Sequence, residues 1–264
     1  MRVYDTPGGR VQAVRGADLL VRAGRSVAIV GPSGSGKSSL LRMIAGLDEP
    51  TAGEVLINGI VVGSSSRRRR RQMRASAVRH VYQRPSDNLL AHLTMRQQLN
   101  RTARSHAQSA ADVDEILTRL GLRHREHHLP TQLSGGEQQR FAFARSAVSR
   151  PSIIIADEPT AELDSENTGR VLDAIDALTD NGISVLLATH DPQVLDHIDE
   201  VVLLRDGAIA SVTDRRGELA VIDEAGRLPL PAAARLAFSQ RRVRTAWDPV
   251  TETLTVTRPN DETP

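Results

Sequence analysis

Four short apolar runs set the rhythm of the chain. Ser26-Val-Ala-Ile-Val30 is unbroken by charge and ends in glycine, as a buried parallel strand should. Val78-Arg-His-Val-Tyr82, Ile153-Ile-Ile-Ala156 and Val185-Leu-Leu-Ala-Thr189 are strand candidates of the same kind, and Gly53–Val62 reads as a further strand. Between them lie helical stretches. Ser38-Ser-Leu-Leu-Arg-Met-Ile-Ala-Gly46 predicts a helix closed by Gly46, and Phe141–Val148 continues a helix that starts near Ser134. Strands alternating with helices predict an α/β fold with a doubly wound sheet, whose ligands gather at the carboxyl ends of the strands.

The polar residues that follow these runs carry the candidate chemistry. Gly31-Pro-Ser33-Gly34-Ser35-Gly36-Lys37-Ser38 matches a phosphate-binding loop, G-x-x-x-x-G-K-[ST], at each fixed position. Backbone N–H groups of Gly34, Ser35, Gly36 and Lys37 at a helix start form an anion nest, and the Ser38 hydroxyl suits Mg²⁺. Lys37 is the one lysine among 34 Lys+Arg residues. An ammonium is a compact charge that fits between phosphate oxygens where a planar guanidinium needs more room. In Leu133-Ser134-Gly135-Gly136-Glu137-Gln-Gln-Arg140, Ser134 and Glu137 have capping-box spacing, with two glycines baring N–H groups at the positive helix end. Asp157 and Glu158 end one apolar run, His190 follows another and Gln83 a third. An acid at such a strand tip suits Mg²⁺, and a second acid beside it can polarise an attacking water.

Composition bounds the rest. Hydrophobic content of 39% can build a core, and 2% aromatic content makes that core aliphatic. No apolar stretch approaches ~18 residues, so neither a transmembrane helix nor a secretory signal is expected. Net charge is only +2, so the pI near 9.6 is weak evidence for nucleic acid. Zero cysteines exclude disulfide and thiol chemistry and fit a reducing cytoplasm.

The order Gly31–Ser39, Gln83, Leu133–Arg140, Ile153–Pro159, Ala161–Asp164 and His190 resembles the ATPase subunit of an ABC transporter over roughly residues 1–212. The resemblance implies a P-loop NTPase (RecA-like) core with an antiparallel β subdomain and a helical signature subdomain at about 84–150. It further implies that Lys37, Ser38 and Ser39 bind the phosphates of ATP, and that Ser38, Asp157 and Gln83 hold Mg²⁺. Glu158 is then the general base, His190 holds the γ-phosphate, and Gln83 signals to an integral membrane permease. Ser134, Gly135, Gly136 and Glu137 act in trans on the ATP of a second protomer, Asp164 lies between the two sites of that dimer, and Tyr4 stacks on adenine. Asn88–Thr94 and Ala13–Gly16 resemble the group of macrolide-efflux, lipoprotein-release and cell-division ATPases, which implies a peripheral place on the inner face of the cell membrane. Ser26 and Ser39 stand where the family usually has Glu and Thr.

Arg67–Arg71 reads as a solvated, self-repelling segment that could also meet anionic lipid. His124, His127 and His128, flanked by Arg123, Arg125 and Glu126, read as an exposed loop rather than a metal site. Residues 213–264 predict a small α+β appendage: a hairpin at Glu218–Leu230, a helix from Pro231 to Phe238, and strands at Arg241–Trp247 and Thr253–Thr257. Asp223–Pro231 with Arg235 resembles an AbrB-like swapped-hairpin module. That resemblance allows nucleic acid as a partner, although capping the core or aiding dimerisation is the plainer expectation.

Overall fold

The computed structural model describes residues 1–6, 9–62, 67–214, 217–220, 244–249, 251 and 253–257. The chain divides at Leu219/Ala220 into two compact units.

The first unit opens with an antiparallel hairpin, β1 (Arg2–Thr6) and β2 (Gly9–Val14). The apolar run after it forms β3 (Ser26–Val30), and the phosphate loop leads into α1 (Lys37–Ile44). Gly46 stops α1 as expected: its φ is +65° and its N–H donates to Met43 O at 3.0 Å. The expected strand at Gly53–Val62 is instead a tight hairpin, β4 (Leu56–Ile57) paired with β5 (Ile60–Val61). The reason is local. Asn58 and Gly59 have φ of +51° and +72°, the pair of left-handed residues that closes a two-residue turn. The arginine run begins a helix, α2 (Arg67–Ser76), which leads into β6 (Val78–Val81).

A helical layer follows: α3 (Met95–Ser105), α4 (Ala110–Arg119) and α5 (Gly135–Ala147). Each starts with a reciprocal capping box, Thr94–Gln97, Ser109–Asp112 and Ser134–Glu137, which satisfies the backbone N–H groups of those two residues and leaves the ones between them to other partners. Then come β7 (Ile153–Asp157), α6 (Ser165–Thr179), β8 (Ser184–Ala188), the short α7 (Pro192–His197), β9 (Glu200–Arg205), β10 (Ala208–Asp214) and β11 (Gly217–Ala220).

The main sheet has the order β11-β10-β9-β3-β8-β7-β6. β9, β3, β8, β7 and β6 pair in parallel, so their carboxyl ends share one edge, while β10 runs antiparallel to β9. Side chains alternate between its faces. Ala28, Ile154, Ala156, Val185 and Leu187 join the core with Phe141, Phe143, Val171 and Ile175 of α5 and α6. Their strand neighbours Val27, Ile29, Ile155 and Leu186 are equally buried and face the other way, the side on which α1 lies against β7 and β8. Aliphatic residues dominate, and Phe141 and Phe143 of α5 are fully buried among them. Each such phenylalanine contributes about 1.5–3 kcal/mol of burial, which anchors the helix carrying the signature segment.

In the second unit, β12 (Arg244–Asp248) and β13 (Thr253–Thr257) pair antiparallel in register, with Trp247 opposite Leu254. The expected helix at Pro231–Phe238 lies outside the described residues, as do Arg241–Val243 and, apart from Glu218–Ala220, the first hairpin of the appendage.

Candidate functional site

The parallel strands deliver the sequence-predicted residues to one edge of the sheet. β3 ends at Val30 with Gly31 next, β7 ends at Asp157 with Glu158 next, β8 leads through Thr189 to His190, and β6 leads through Tyr82 to Gln83. The edge is stitched by backbone bonds: Glu158 N donates to Ala188 O at 2.9 Å and Thr189 N to Ile29 O at 3.3 Å.

The loop Gly31–Ser38 wraps Lys37 back on itself, Nζ donating to Gly31 O at 2.7 Å and to Pro32 O at 3.2 Å. Two of its glycines are required by backbone approach. A Cβ on Gly31 would lie 2.1 Å from Leu204 O, and one on Gly36 would lie 2.2 Å from Ala13 O of β2. Their φ values, +153° and +101°, also favour glycine. Gly34, at φ +76°, is exposed with Ser33. Ser35 is buried, its Oγ has no partner among the described residues, and its carbonyl accepts from Gly207 N at 3.0 Å. Ser39 is half-buried in the first turn of α1.

Two contacts span long stretches of sequence. Ser38 Oγ donates to Asp157 Oδ2 at 3.2 Å, pairing a hydroxyl and a carboxylate beside the phosphate loop. This is a hard oxygen donor set of the kind that suits Mg²⁺. Glu158 Oε1 and His190 Nδ1 are 3.0 Å apart. The Glu158 side chain is 18% exposed and that of His190 82% exposed, so the carboxylate is sheltered and the imidazole open to an incoming group. Glu158 is a non-glycine residue at φ +45°, a left-handed conformation that costs on the order of 1–2 kcal/mol and concentrates at active sites.

Gln83, Glu158 and Gly135 line one cavity of about 260 Å³ with Gln138, Gln139 and Leu163. Within the signature, Glu137 is bonded by Arg125, Gly136 lies against Asn167 and Gly135 near Leu163, partners that all lie outside the phosphate loop. Ser134 Oγ accepts from Glu137 N at 3.3 Å and Glu137 Oε2 accepts from Ser134 N at 2.9 Å. Arg125 Nε donates to Glu137 Oε1 at 2.8 Å. Burial pushes the Glu137 carboxyl up, but the Ser134 backbone N–H, the Arg125 guanidinium and the Ser134 hydroxyl outweigh it and hold it at about 2. Gly136 packs so closely on α6 that a Cβ would meet Asn167 Oδ1 at 2.4 Å. Asn167 in turn donates to Asp164 from its backbone N (2.8 Å) and its side chain (3.0 Å), so Asp164 caps α6. Tyr4 reaches Asp48, Oη to Oδ2 at 2.9 Å.

Sequence reading missed three supports of this site. Asn88 is buried and clamps the turn around Gln83: Oδ1 accepts from Tyr82 N at 3.1 Å and Nδ2 donates to Tyr82 O and Arg84 O, both at 3.3 Å. Arg145 of α5 donates to the Asn88 carbonyl. Arg125, read with its neighbours as exposed loop, holds Glu137, and His124 Nε2 lies 3.7 Å from the same carboxylate. An asparagine between a strand and a helix was a turn signal for Asn88; nothing local marks the other two.

A family profile described as ABC transporter matches residues 14–161. The lipoprotein-releasing system ATP-binding protein LolD 1 of Rhodospirillum rubrum is 40% identical over 206 residues, 76% of this chain and 90% of that protein. The macrolide export ATP-binding/permease protein MacB of Escherichia coli O157:H7 is 38% identical over 212 residues, 79% of this chain but 32% of MacB. Among solved structures, the dimeric post-hydrolysis state of the ATP-binding cassette MJ0796 bound to ADP and Pi is 32% identical, covers 82% of this chain and 96% of that one, and superposes with a TM-score of 0.71. Phosphate loop, signature helix, paired carboxylates and these likenesses coincide: the chain is an ATP-binding cassette of the ABC transporter family.

Proposed function

We propose that this chain is the ATP-hydrolysing subunit of a membrane transporter. It closes in pairs on ATP, reopens after hydrolysis, and drives a permease in export or mechanotransmission. The observation that carries the reading is the edge of the sheet, where Lys37, the Ser38–Asp157 pair and the Glu158–His190 pair converge. The loop N–H groups and Lys37, with Ser38 and Ser39, bind the phosphates. Ser38, Asp157 and Gln83 hold Mg²⁺, which when bound neutralises charge on the β- and γ-phosphates. Glu158 takes the proton of the attacking water, and exposed His190, oriented by Glu158, contacts the γ-phosphate. Ser134 and Gly135 are exposed at the start of α5, and with Gly136 and Glu137 they complete the ATP site of a second protomer, while Asp164 lies between the two sites.

Among the described residues no helix is long and apolar enough to cross a membrane. An integral permease would supply the span, with this chain peripheral on the inner face of the membrane, and the likeness to LolD and MacB supports such a partner. The sequence-expected boundary at 212/213 falls inside β10, so we assign residues 1–219 to the ATPase domain, with its helical subdomain at about 84–150, and 220–264 to a separate module. The alternative, an ATP-gated regulator that binds nucleic acid through that module, has only a short resemblance behind it.

The test is a Glu158→Gln variant of the full chain, loaded with ATP and recovered from native membranes. Turnover should fall by about 10²–10⁴, the contribution of a general base, while ATP is retained. An integral permease should copurify. Normal hydrolysis would remove Glu158 from its role, and recovery of nucleic acid with no permease would overturn the transport reading.

A further inference from the structure

The N-terminal hairpin is tied to the phosphate-loop helix at two places. At β2, Ala13 O approaches Gly36 so closely that no side chain fits between them. At β1, the Tyr4 hydroxyl donates to Asp48 Oδ2 at 2.9 Å. The same carboxylate is gripped from α1: Arg42, in the last turn, donates Nε to Oδ2 at 2.9 Å and a terminal N–H to Oδ1 at 3.1 Å. The Arg42 bond, against the opposing effect of burial and with help from the Tyr4 hydroxyl, holds the Asp48 carboxyl below its ordinary range.

Arg2 completes the arrangement. Its guanidinium carbon lies 4.4 Å from the Tyr4 ring centroid, and a terminal N–H donates to Glu49 O at 2.6 Å. Its Nε–H is buried and has no acceptor among the described residues. The ring is therefore fixed at its edge by a hydroxyl bond and on one face by a cation, an attraction that favours a guanidinium stacked over the π-face.

We propose that Arg2, Arg42 and Asp48 are positioning residues that hold Tyr4 as a nucleobase platform keyed to α1, with Arg2 on one face of the ring and the base of ATP taking the other. This rests on the reading of Tyr4 as the base-stacking residue. α1 is eight residues long, with Lys37 and Ser38 in its first turn and Arg42 in its last. Base and phosphate sites are thus attached to opposite ends of one short rigid element, so the distance between them is set before nucleotide arrives. Preorganisation of this kind lowers the cost of ordering a terminal tyrosine on binding.

Calorimetric titration of the full chain separates the possibilities, with MgATP as one probe and magnesium tripolyphosphate, which has no base, as the other. Tyr4→Ala should weaken ATP about tenfold, the size of one base–aromatic stack. Asp48→Ala and Tyr4→Phe should each weaken it about threefold to fivefold, and non-additively when combined, because they remove the same bond. Arg2→Ala should behave likewise, with Arg2→Lys restoring part of the loss by keeping the cation. Tripolyphosphate affinity should stay at the parental value throughout. Parental ATP affinity in Tyr4→Ala would sink the stacking role of Tyr4 itself. A weakened Tyr4→Ala alongside unchanged Asp48→Ala, Tyr4→Phe and Arg2→Ala would overturn the positioning proposal alone. Equal loss of ATP and tripolyphosphate in Asp48→Ala would also overturn it, since the carboxylate would then support α1 as a whole. Should Asp48→Ala fail to fold, Tyr4→Phe decides the same point.

Discussion

Replacing Glu137 by glutamine isolates the charge in the signature segment. The residue is 8% exposed, and its oxygens take bonds from the Ser134 N–H and from Arg125. Glutamine keeps the shape and an accepting oxygen and loses the charge. In the folded chain the Glu137 carboxyl sits at about 2, against an ordinary value of 4.5. At about 1.36 kcal/mol per pH unit this gap corresponds to roughly 3 kcal/mol, and the 11% exposure of the side chain leaves little solvent to screen it. The folded value lies below the unfolded one, so this stabilisation is complete above pH 4.5 and is lost as pH falls toward 2. Urea unfolding followed by circular dichroism, repeated from neutral pH down to about pH 3, reads it directly. Glu137→Gln should be less stable than the parent by about 2–3 kcal/mol at neutral pH, and the difference should narrow steadily below pH 4.5. Other carboxylates titrate in both proteins and cancel in the difference. A gap that stays constant down to pH 3, or none at neutral pH, would refute the argument.

Gly36→Ala drives a Cβ to 2.2 Å from Ala13 O at a φ of +101°, and we expect a loss of about 2–4 kcal/mol together with weakened ATP binding. A urea midpoint equal to the parent's would show that β2 yields freely. Asn88→Ala strips the Tyr82 N–H and the Tyr82 and Arg84 carbonyls of their partner, a loss of about 1–3 kcal/mol that should appear as faster amide exchange around Gln83 and lower turnover. Unchanged exchange at Tyr82 would remove Asn88 as the clamp of that turn.

What the sequence determined by itself is what short-range chemistry encodes. The glycine loop between an apolar strand and a helix, the capping box at Ser134 and Glu137, the stop at Gly46 and the four apolar strands are all properties of residues a few positions apart, where backbone preference, cap geometry and apolar period act without a partner. Even the one misread strand obeyed such a rule, since Asn58-Gly59 turns the chain between Leu56–Ile57 and Ile60–Val61. The family resemblance then assigned roles to single residues. Only the tertiary structure decided which of them meet. Ser38 and Asp157 are 119 positions apart and Glu158 and His190 are 32 apart, and their contacts exist because β3, β8 and β7 lie side by side in parallel. Arg125 on Glu137, Arg145 on Asn88 and Tyr4 on Asp48 depend likewise on how separate elements pack. An arginine or a tyrosine carries no local signal of the partner it will find. That choice follows from burying the apolar faces of the sheet and helices together, and the polar contacts form where that burial leaves the chain.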